Sequence, residues 1–177
     1  AKNVAGTYSN FISATYDYDG KYGLDATVRR DASYRFVDDN RWGTFWSAGA
    51  RWNIDKENFM KNSVFNMLKL RASYGIQGNQ NLGVPAFGGN PLYTGSNLIR
   101  DLIATGSGYG NSGAYVLSQF GNNTLQWEEQ TMTNLGLDFG LWNDRLSGNV
   151  DVYQRTTDKL FTSINLSAAA GAGTGLS

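Results

Sequence analysis

Residues 68–80 read L-K-L-R-A-S-Y-G-I-Q-G-N-Q, and this stretch indicates the fold of the chain. Apolar and polar side chains alternate without a break along its first nine residues. One face receives Leu68, Leu70, Ala72, Tyr74 and Ile76, and the other receives Lys69, Arg71, Ser73 and Gly75. Because a two-residue period belongs to β-strands, the stretch predicts a strand between an apolar environment and water. It ends in a turn at 78–80, where glycine and short polar side chains release the chain.

The same alternation recurs on both sides of this stretch and predicts about six strands in all. The other five are expected at 8–18, 22–31, 44–54, about 127–141 and 145 to about 157. The alternation continues through Leu166, so the last strand is expected to extend beyond Thr157. Residues 55–67 break the period and favour a short amphipathic helix.

The connections between these strands alternate between short and long. Asp19-Gly20 is a strong hairpin signal because both residues tolerate positive φ, and Asn143-Asp144 is a second short turn. Residues 31–43 form a longer loop, and residues 78–126, rich in Gly, Asn and Ser, form a very long one. Alternation of this kind is typical of outer-membrane barrels, although a helix at 55–67 would be an exception on the short-turn side.

Composition excludes several function classes. Fifteen basic and fifteen acidic residues give no net charge, so nucleic-acid binding is not indicated. Histidine and cysteine are both absent, which removes the commonest general base, the thiol nucleophile and the usual transition-metal ligands. We therefore expect no enzyme, no metal and no cofactor. A mean hydropathy of -0.40 remains compatible with barrel strands, which cross a membrane in about 9 to 11 alternating residues.

Two tryptophans on one predicted strand suggest what the apolar face meets. Trp46 and Trp52 lie at opposite ends of an alanine-lined stripe, roughly 20 Å apart at about 3.3 Å per residue. Large amphipathic rings at both ends of such a stripe resemble the aromatic girdles of membrane barrels. The core of a soluble β-sandwich is the alternative for this strand.

Three motifs have a functional and a simpler interpretation. Glu128-Glu129 could be the carboxylate pair of a glycosidase, but adjacent strand residues point to opposite faces. Residues 17–20 resemble half of a calcium loop, for which a hairpin is the better interpretation. Residues 106–113 have glycines spaced as in a phosphate loop, but without a strand and helix around them we interpret them as a flexible loop.

Five phrases in order resemble the SusC/RagA family of TonB-dependent outer-membrane transporters of Bacteroidota. They are R-R-D-A-S-Y-R-F at 29–36, N-R-W-G-T-F-W-S-A-G-A-R-W at 40–52, the stretch at 68–80, L-Q-W-E-E-Q-T-M-T-N-L-G-L-D-F-G at 125–140, and R-L-S-G-N-V-D-V-Y-Q-R-T-T-D-K-L at 145–160. The resemblance implies an all-β fold, an antiparallel transmembrane β-barrel segment with about six of roughly 22 strands. Residues 1–177 would be part of the C-terminal half of the barrel, with 78–126 as an extracellular loop and the plug domain absent.

In that family a SusD-like lipoprotein caps the barrel, and TonB pulls on the N-terminal plug to admit substrate. The resemblance therefore implies a place in the bacterial outer membrane and uptake of glycan or peptide fragments. The expected partners are the SusD-like lipoprotein, the rest of the barrel with its plug, TonB through the missing N-terminal part, and membrane lipid. The alternative from another class is a soluble all-β carbohydrate-binding or adhesin module.

A barrel assigns the alternating residues to lipid or to the lumen. The side chains expected to face lipid are Leu24, Val28, Trp46, Trp52, Leu70, Tyr74, Leu135 and Leu137. The side chains expected to face the lumen are Asp25, Arg29, Arg51, Lys69, Arg71, Asp138 and Asp151, either as structural ion pairs or as contacts for plug or substrate. Candidates for substrate or lid contact in the long loop are Tyr93, Tyr109, Tyr115, Asn90, Asn97 and Asn111, whose rings and amides suit sugars or peptide backbone.

Overall fold

The computed structural model of the chain describes residues 6–81, 98–107, 110, 113–143, 145–161, 163–165 and 174–176. Its regular elements are β-strands and three short 3₁₀ turns. The strands are β1 (Thr7–Tyr18), β2 (Tyr22–Ser33), β3 (Trp42–Asn53), β4 (Phe65–Asn79), β5 (Leu102–Ser107), β6 (Gly113–Gln119), β7 (Glu128–Leu141), β8 (Leu146–Asp158), β9 (Ser163–Asn165) and β10 (Thr174–Leu176). The 3₁₀ turns are Asp38–Asn40, Ile54–Lys56 and Asn58–Met60.

Six strands form one antiparallel sheet in the order β1-β2-β3-β4-β7-β8. Each strand pairs with its predecessor through a hairpin, except where β7 joins β4 after the long connection. That connection contains a separate antiparallel ribbon of β5 and β6, and β9 pairs with β10 near the C-terminal end. The prediction of an all-β antiparallel sheet with about six strands is confirmed.

The short turns adopt the conformations that their residues favour. Asp19 and Gly20 have φ of 55° and 60°, and the Gly20 amide donates a 2.8 Å hydrogen bond to the Asp17 carboxylate. Two positive φ values in succession match the right-handed twist of the flanking strands, as a tight hairpin requires. The turn between β7 and β8 also has two positive φ values in succession, at Trp142 and Asn143. This turn begins one residue earlier than the sequence predicts.

The predicted helix at 55–67 is wrong. Residues 54–60 form two 3₁₀ turns, and β4 begins at Phe65 and pairs with Leu141 of β7. The register shifts between Phe65 and Met67, and this irregularity explains why the two-residue period is lost in the sequence. Backbone pairing with β7 therefore outweighs the helical spacing of the apolar side chains.

The predicted extension of the last strand through Leu166 is also wrong. β8 ends at Asp158, because Lys159 adopts a φ of 58° and turns the chain out of the sheet. The Lys159 ammonium then lies 2.5 Å from the Glu129 carboxylate of β7, which holds this end of β8 in place. Residues 163–165 pair with β10 instead of continuing along β7.

Buried apolar side chains are confined to one end of the sheet. The buried cluster consists of Phe36, Phe45, Leu125 and Trp127. Along the strands, large apolar side chains remain exposed, with Ile12 at 72% and Val152 at 67%. Within the described ranges no second sheet covers them, which is the opposite of what a soluble sandwich requires. None of the described helical turns is long or apolar enough to cross a membrane.

Candidate functional site

The main sheet sorts its side chains onto two faces. We call the apolar face the side that carries Leu70, Tyr74 and the residues in register with them, and the polar face the side that carries Lys69, Arg71 and their partners. The residues predicted to face lipid all lie on the apolar face: Leu24, Val28, Trp46, Trp52, Leu70, Tyr74, Leu135 and Leu137. Trp52 is half-buried and the others are exposed.

The apolar band crosses the strands obliquely. On β2 it ends at Val28 and Arg30 follows, whereas on β8 it ends at Val152 and Gln154 follows. Followed from β8 through β7, β4 and β3 to β2, the register places Gln154 in the same row as Ala26. Ala26 comes four residues before Arg30, so the border of the band shifts by four residues over these four strand pairs. Four residues along a strand span about 13 Å, and four spacings between strands span about 19 Å. The strands are therefore tilted by about 35° from the normal of the band. Strands of outer-membrane barrels are tilted by roughly 35–45°.

Aromatic rings border this band at both ends. At the short-turn end, the Tyr22 ring lies 6.4 Å from Tyr18 and 6.2 Å from Trp52, between centroids. At the long-loop end, Trp46 packs against Tyr74 at 5.5 Å. The structure therefore places the two tryptophans of β3 in two separate aromatic groups, with small and aliphatic side chains between them.

The polar face carries a network of charges centred on Arg71. Its guanidinium donates two hydrogen bonds, of 2.8 and 3.0 Å, to the Asp138 carboxylate and a third, of 3.2 Å, to Asp151. Lys69 lies 3.7 Å from the same Asp138 carboxylate. Four of the residues predicted to face the lumen are thus brought together by the register of β4, β7 and β8. A bidentate arginine–carboxylate pair fixes the orientation of both groups, so Arg71 is held across β4 and β7.

The remaining three predicted charges are separated. Arg51 pairs with Asp17 of β1, and Arg29 pairs with Asp31 of its own strand at 2.7 Å. Asp25 makes no ion pair among the described residues, although it lies on the same polar face. The partners Asp17 and Asp31 were not predicted, since only the strand register shows that they lie beside these arginines.

Glycines on the polar face create the room in which these guanidinium groups lie. A Cβ atom at Gly23 would be 3.0 Å from the Arg51 guanidinium. At Gly136 it would be 2.8 Å from Arg71 and closer still to the Asp151 carboxylate. This role of the glycines was not predicted from the sequence. The available signal was a glycine in a strand interior, which often marks close approach of another group.

Two cavities lie along the polar face. One, of about 300 Å³, is bordered by Asp25, Arg51 and Asn134. The other, of about 530 Å³, is nearer the long loop and is bordered by Arg29, Gln130 and the edge of the buried aromatic cluster. Their linings combine charges, amides and ring edges, which can form hydrogen bonds and ring contacts with a polar molecule.

A group of polar contacts centred on Glu57, which we call the clasp, lies at the short-turn end and was not predicted. The Glu57 carboxylate accepts a 2.5 Å hydrogen bond from the Tyr22 hydroxyl and a 3.3 Å bond from the Trp52 indole, and Lys21 lies 3.6 Å away. The bond from Tyr22, followed by that from Trp52 and the charge of Lys21, holds the pKa of Glu57 below its usual range. The clasp ties the turn after β3 to β2.

The buried cluster at the long-loop end holds several loops together. Its members are Phe36 before β3, Phe45 in β3, and Leu125 and Trp127 before β7. The Trp127 indole donates a 3.1 Å hydrogen bond to the carbonyl of Arg41, and Arg35 donates a 2.8 Å bond to the carbonyl of Gln80. The entrance of the long connection is thereby fixed to the sheet.

The predicted substrate or lid contacts lie mostly outside the described residues. These are Asn90, Tyr93, Asn97, Tyr109 and Asn111. Tyr115 is described: it lies on β6, opposite Thr105, and is 83% exposed. The ribbon of β5 and β6 thus presents at least one ring to its surroundings.

Two of the three motifs with a possible functional interpretation make structural contacts. Glu128 accepts a 3.2 Å hydrogen bond from Asn79, and Glu129 pairs with Lys159 on the other face. They do not flank one bond, as the alternation indicates. Residues 17–20 form the hairpin turn, and the described part of the chain contains no group of carboxylates arranged to hold a metal ion.

Comparison with known proteins adds family relationships to this geometry. A family model described as "TonB dependent receptor-like, beta-barrel" matches residues 1–174. The TonB-dependent receptor SusC of Bacteroides thetaiotaomicron is 40% identical over 159 residues, which cover 89% of this chain and 15% of that protein. The TonB-dependent receptor P39 of Formosa agariphila is 39% identical over 157 residues, covering 88% of this chain and 14% of that protein.

Solved structures agree with the sequence relatives. The RagAB peptide importer in its closed-closed state matches with a TM-score of 0.81 and 28% identity, covering 97% of this chain and 18% of that one. A second structure, of the RagAB peptide transporter, matches with a TM-score of 0.79. The chain spans about 15% of the length of the curated relatives that it matches.

Proposed function

Because the chain belongs to the TonB dependent receptor-like β-barrel family and is of the SusC/RagA type, we propose that it is a length of wall from an outer-membrane importer. The importer takes up glycan or peptide fragments. The observation that supports this proposal most is the oblique apolar band, which is exposed and bordered by aromatic rings. The strands cross this band at about the tilt of outer-membrane barrel strands. In this proposal the apolar face meets lipid and the polar face lines the lumen.

The polar face is suited to the wall of a passage. Its charges are largely neutralised in pairs, so the wall attracts neither cations nor anions strongly along its length. Asp25 and the edges of the two cavities offer the hydrogen-bonding positions that remain. A wall of this kind contacts a plug or a moving oligomer through many weak bonds, without chemistry of its own.

The long connection is the expected place for substrate and partner contacts. It leaves the sheet at Asn79 and returns at Glu128, and its base is fixed by the buried aromatic cluster. Exposed Tyr115 and Ile103 on the ribbon offer an apolar surface to a SusD-like surface lipoprotein. The candidates in 78–126 remain part of the proposal: rings that stack on sugars, and amides that bond sugar hydroxyls or peptide groups. TonB would act through the plug outside this chain.

Cysteine labelling of the full-length protein in native outer membranes tests which face meets lipid. Leu135→Cys and Asn134→Cys are neighbours on β7 with opposite orientation. We expect Leu135→Cys to react with a lipid-soluble maleimide and Asn134→Cys with a water-soluble one. The proposal fails if both positions react only with the water-soluble reagent while the protein is released into plain buffer, the behaviour of a soluble adhesin or carbohydrate-binding module.

Uptake by whole cells tests the importer and its substrate class. Cells lacking the full-length gene, complemented with the wild type, should accumulate a fluorescent oligosaccharide pool or a fluorescent oligopeptide pool. Uptake should stop when the TonB system is inactivated. Equal accumulation with and without the gene for both pools would contradict the proposal. Tyr115→Ala, compared with Thr105→Ala across the ribbon, should lower uptake without changing the amount of barrel in the membrane.

A further inference from the structure

One charged side chain stands apart on the part of the apolar face that β1 to β4 form. Among the described positions of this face on β1, β2, β3 and β4, only Arg30 carries a charge. It occupies the first row beyond the apolar band, next to Val28 and towards the long-loop end. Its cross-strand neighbours are Asn10 and Thr44, both neutral.

The guanidinium of Arg30 is held in a defined place. It lies 4.8 Å from the centroid of the Trp42 ring, and the Tyr8 ring packs edge-on against Trp42 with 6.1 Å between centroids. Stacking on an aromatic face orients an arginine and leaves its N–H groups free at the edge. The neighbouring Arg29, by contrast, points to the polar face and is neutralised by Asp31.

Nothing within the described sheet supplies Arg30 with a counter-ion. Asp31 is on the opposite face and already bonds Arg29 and Ser9. Asn10 and Thr44 can donate or accept hydrogen bonds but carry no charge. The guanidinium of Arg30 therefore has no anionic partner in the described sheet and could bind an anion located at the border of the apolar band.

We propose that Arg30, Trp42, Asn10 and Thr44 form a binding site for the phosphate of a membrane lipid. The inference rests on the proposed function, because it takes the apolar band as the lipid-facing surface. Lipid headgroups lie at the border of that band, and the phosphate is their strongest hydrogen-bond acceptor. An arginine binds phosphate through two parallel N–H groups, while its stem and the Trp42 ring cover the upper part of an acyl chain. The site would fix the full barrel to particular lipids at its extracellular rim.

Photocrosslinking tests this site in the full-length protein. The protein is placed in phosphatidylcholine nanodiscs that contain a phosphatidic acid with a photoreactive group at the top of one acyl chain, and the crosslinked segments are mapped by mass spectrometry. We expect labelling of the segment 40–46 in the wild type and at least about tenfold less in Arg30→Gln, because the loss of even one charge-assisted hydrogen bond corresponds to about that factor. The matched control, Arg29→Gln, changes the adjacent arginine on the other face and should label like the wild type.

A further variant and further probes distinguish recognition of the lipid phosphate from other causes of labelling. Arg30→Lys should retain part of the labelling, because it keeps the charge without the guanidinium plane. Equal labelling of wild type and Arg30→Gln, equal labelling by a photoreactive diacylglycerol without phosphate, or displacement by millimolar inorganic phosphate would each overturn the inference. If the proposed function itself were wrong, acyl chains would also fail to label the apolar residues of β7 and β8 in the wild type.

Discussion

The two faces of the sheet are stabilised in different ways. Between the ends of the apolar band, the described residues of the apolar face make no ion pair, and their order depends on contact between neighbouring side chains and on whatever covers them. The polar face is held by directed bonds, such as those from Arg71 to Asp138 and Asp151. Residue type alone therefore specifies the apolar face, whereas the polar face also depends on the register of its partners.

A charge on the apolar face should have the largest effect. Ala72→Arg places a guanidinium in the band, between the rows of Trp52 and Trp46 that border it, and should lower barrel stability by about 2–4 kcal/mol. The heat-resistant, fast-migrating form of the full-length barrel on gels measures assembly. Lys69→Ala, on the polar face of the same strand, should assemble normally and change only transport; equal loss of assembly in both variants would contradict the assignment of faces.

Filling a glycine space on the polar face should have the next largest effect. Gly136→Val would drive a side chain into Arg71 and Asp151, with an expected loss of about 1–3 kcal/mol from overpacking. Thermal unfolding of the detergent-solubilised barrel measures it. Gly113→Val is the matched control, because a Cβ atom at this position of the ribbon would meet nothing within 4 Å. Equal unfolding temperatures for both variants would mean that Arg71 moves away freely.

Removing one carboxylate from the charge network should have a smaller effect. Asp138→Asn leaves Arg71 and Lys69 without their shared partner, while water screens part of the loss because the Arg71 side chain is 39% exposed. The unfolding temperature should fall less than in Gly136→Val. Asp151→Asn should lower it less still, since that contact is a single 3.2 Å bond. The reverse order would place the centre of the network at Asp151.

Acidification of the clasp should have the smallest effect. The folded-state pKa of Glu57 lies below its ordinary value of 4.5, so its bonds to Tyr22 and Trp52 stabilise the fold above that pH. This contribution is lost as the pH falls through the lowered pKa. Protease cleavage within 54–63 of the full-length barrel should rise at low pH more in the wild type than in Glu57→Gln, which lacks the titrating group. Parallel pH profiles would contradict the role of Glu57.

The sequence predicts the sheet and its faces well, because the two-residue period directly encodes side-chain direction. Leu70, Trp46 and Leu135 lie on the predicted side for that reason. The period fails at Phe65, where an irregular register imitates helical spacing, and at Lys159, where one left-handed residue ends the strand. The first event removes the alternation from the sequence although the strand is present, and the second leaves the alternation intact although the strand ends.

The partners within the polar face are harder to predict. Asp17 reaches Arg51 over thirty-four positions of sequence, and Glu57 reaches Tyr22 over thirty-five. Such pairs depend on which rows of neighbouring strands are opposite each other, and turns and irregularities set this at the strand ends. The long loop has no strong two-residue period and contains many turn residues. The ribbon of β5 and β6 was therefore not predicted.

The oblique course of the apolar band also constrains how the wall closes. A drift of four residues over four strand steps means that each strand is staggered by about one residue against the next. A closed sheet with this stagger has a shear number about equal to its number of strands, the same ratio as the eight-stranded barrel with shear 8 and a tilt of about 36°. With roughly 22 strands, the same stagger encloses a bore far too wide for side chains to fill. The interior behind a wall of this pitch therefore holds either water or a separate domain.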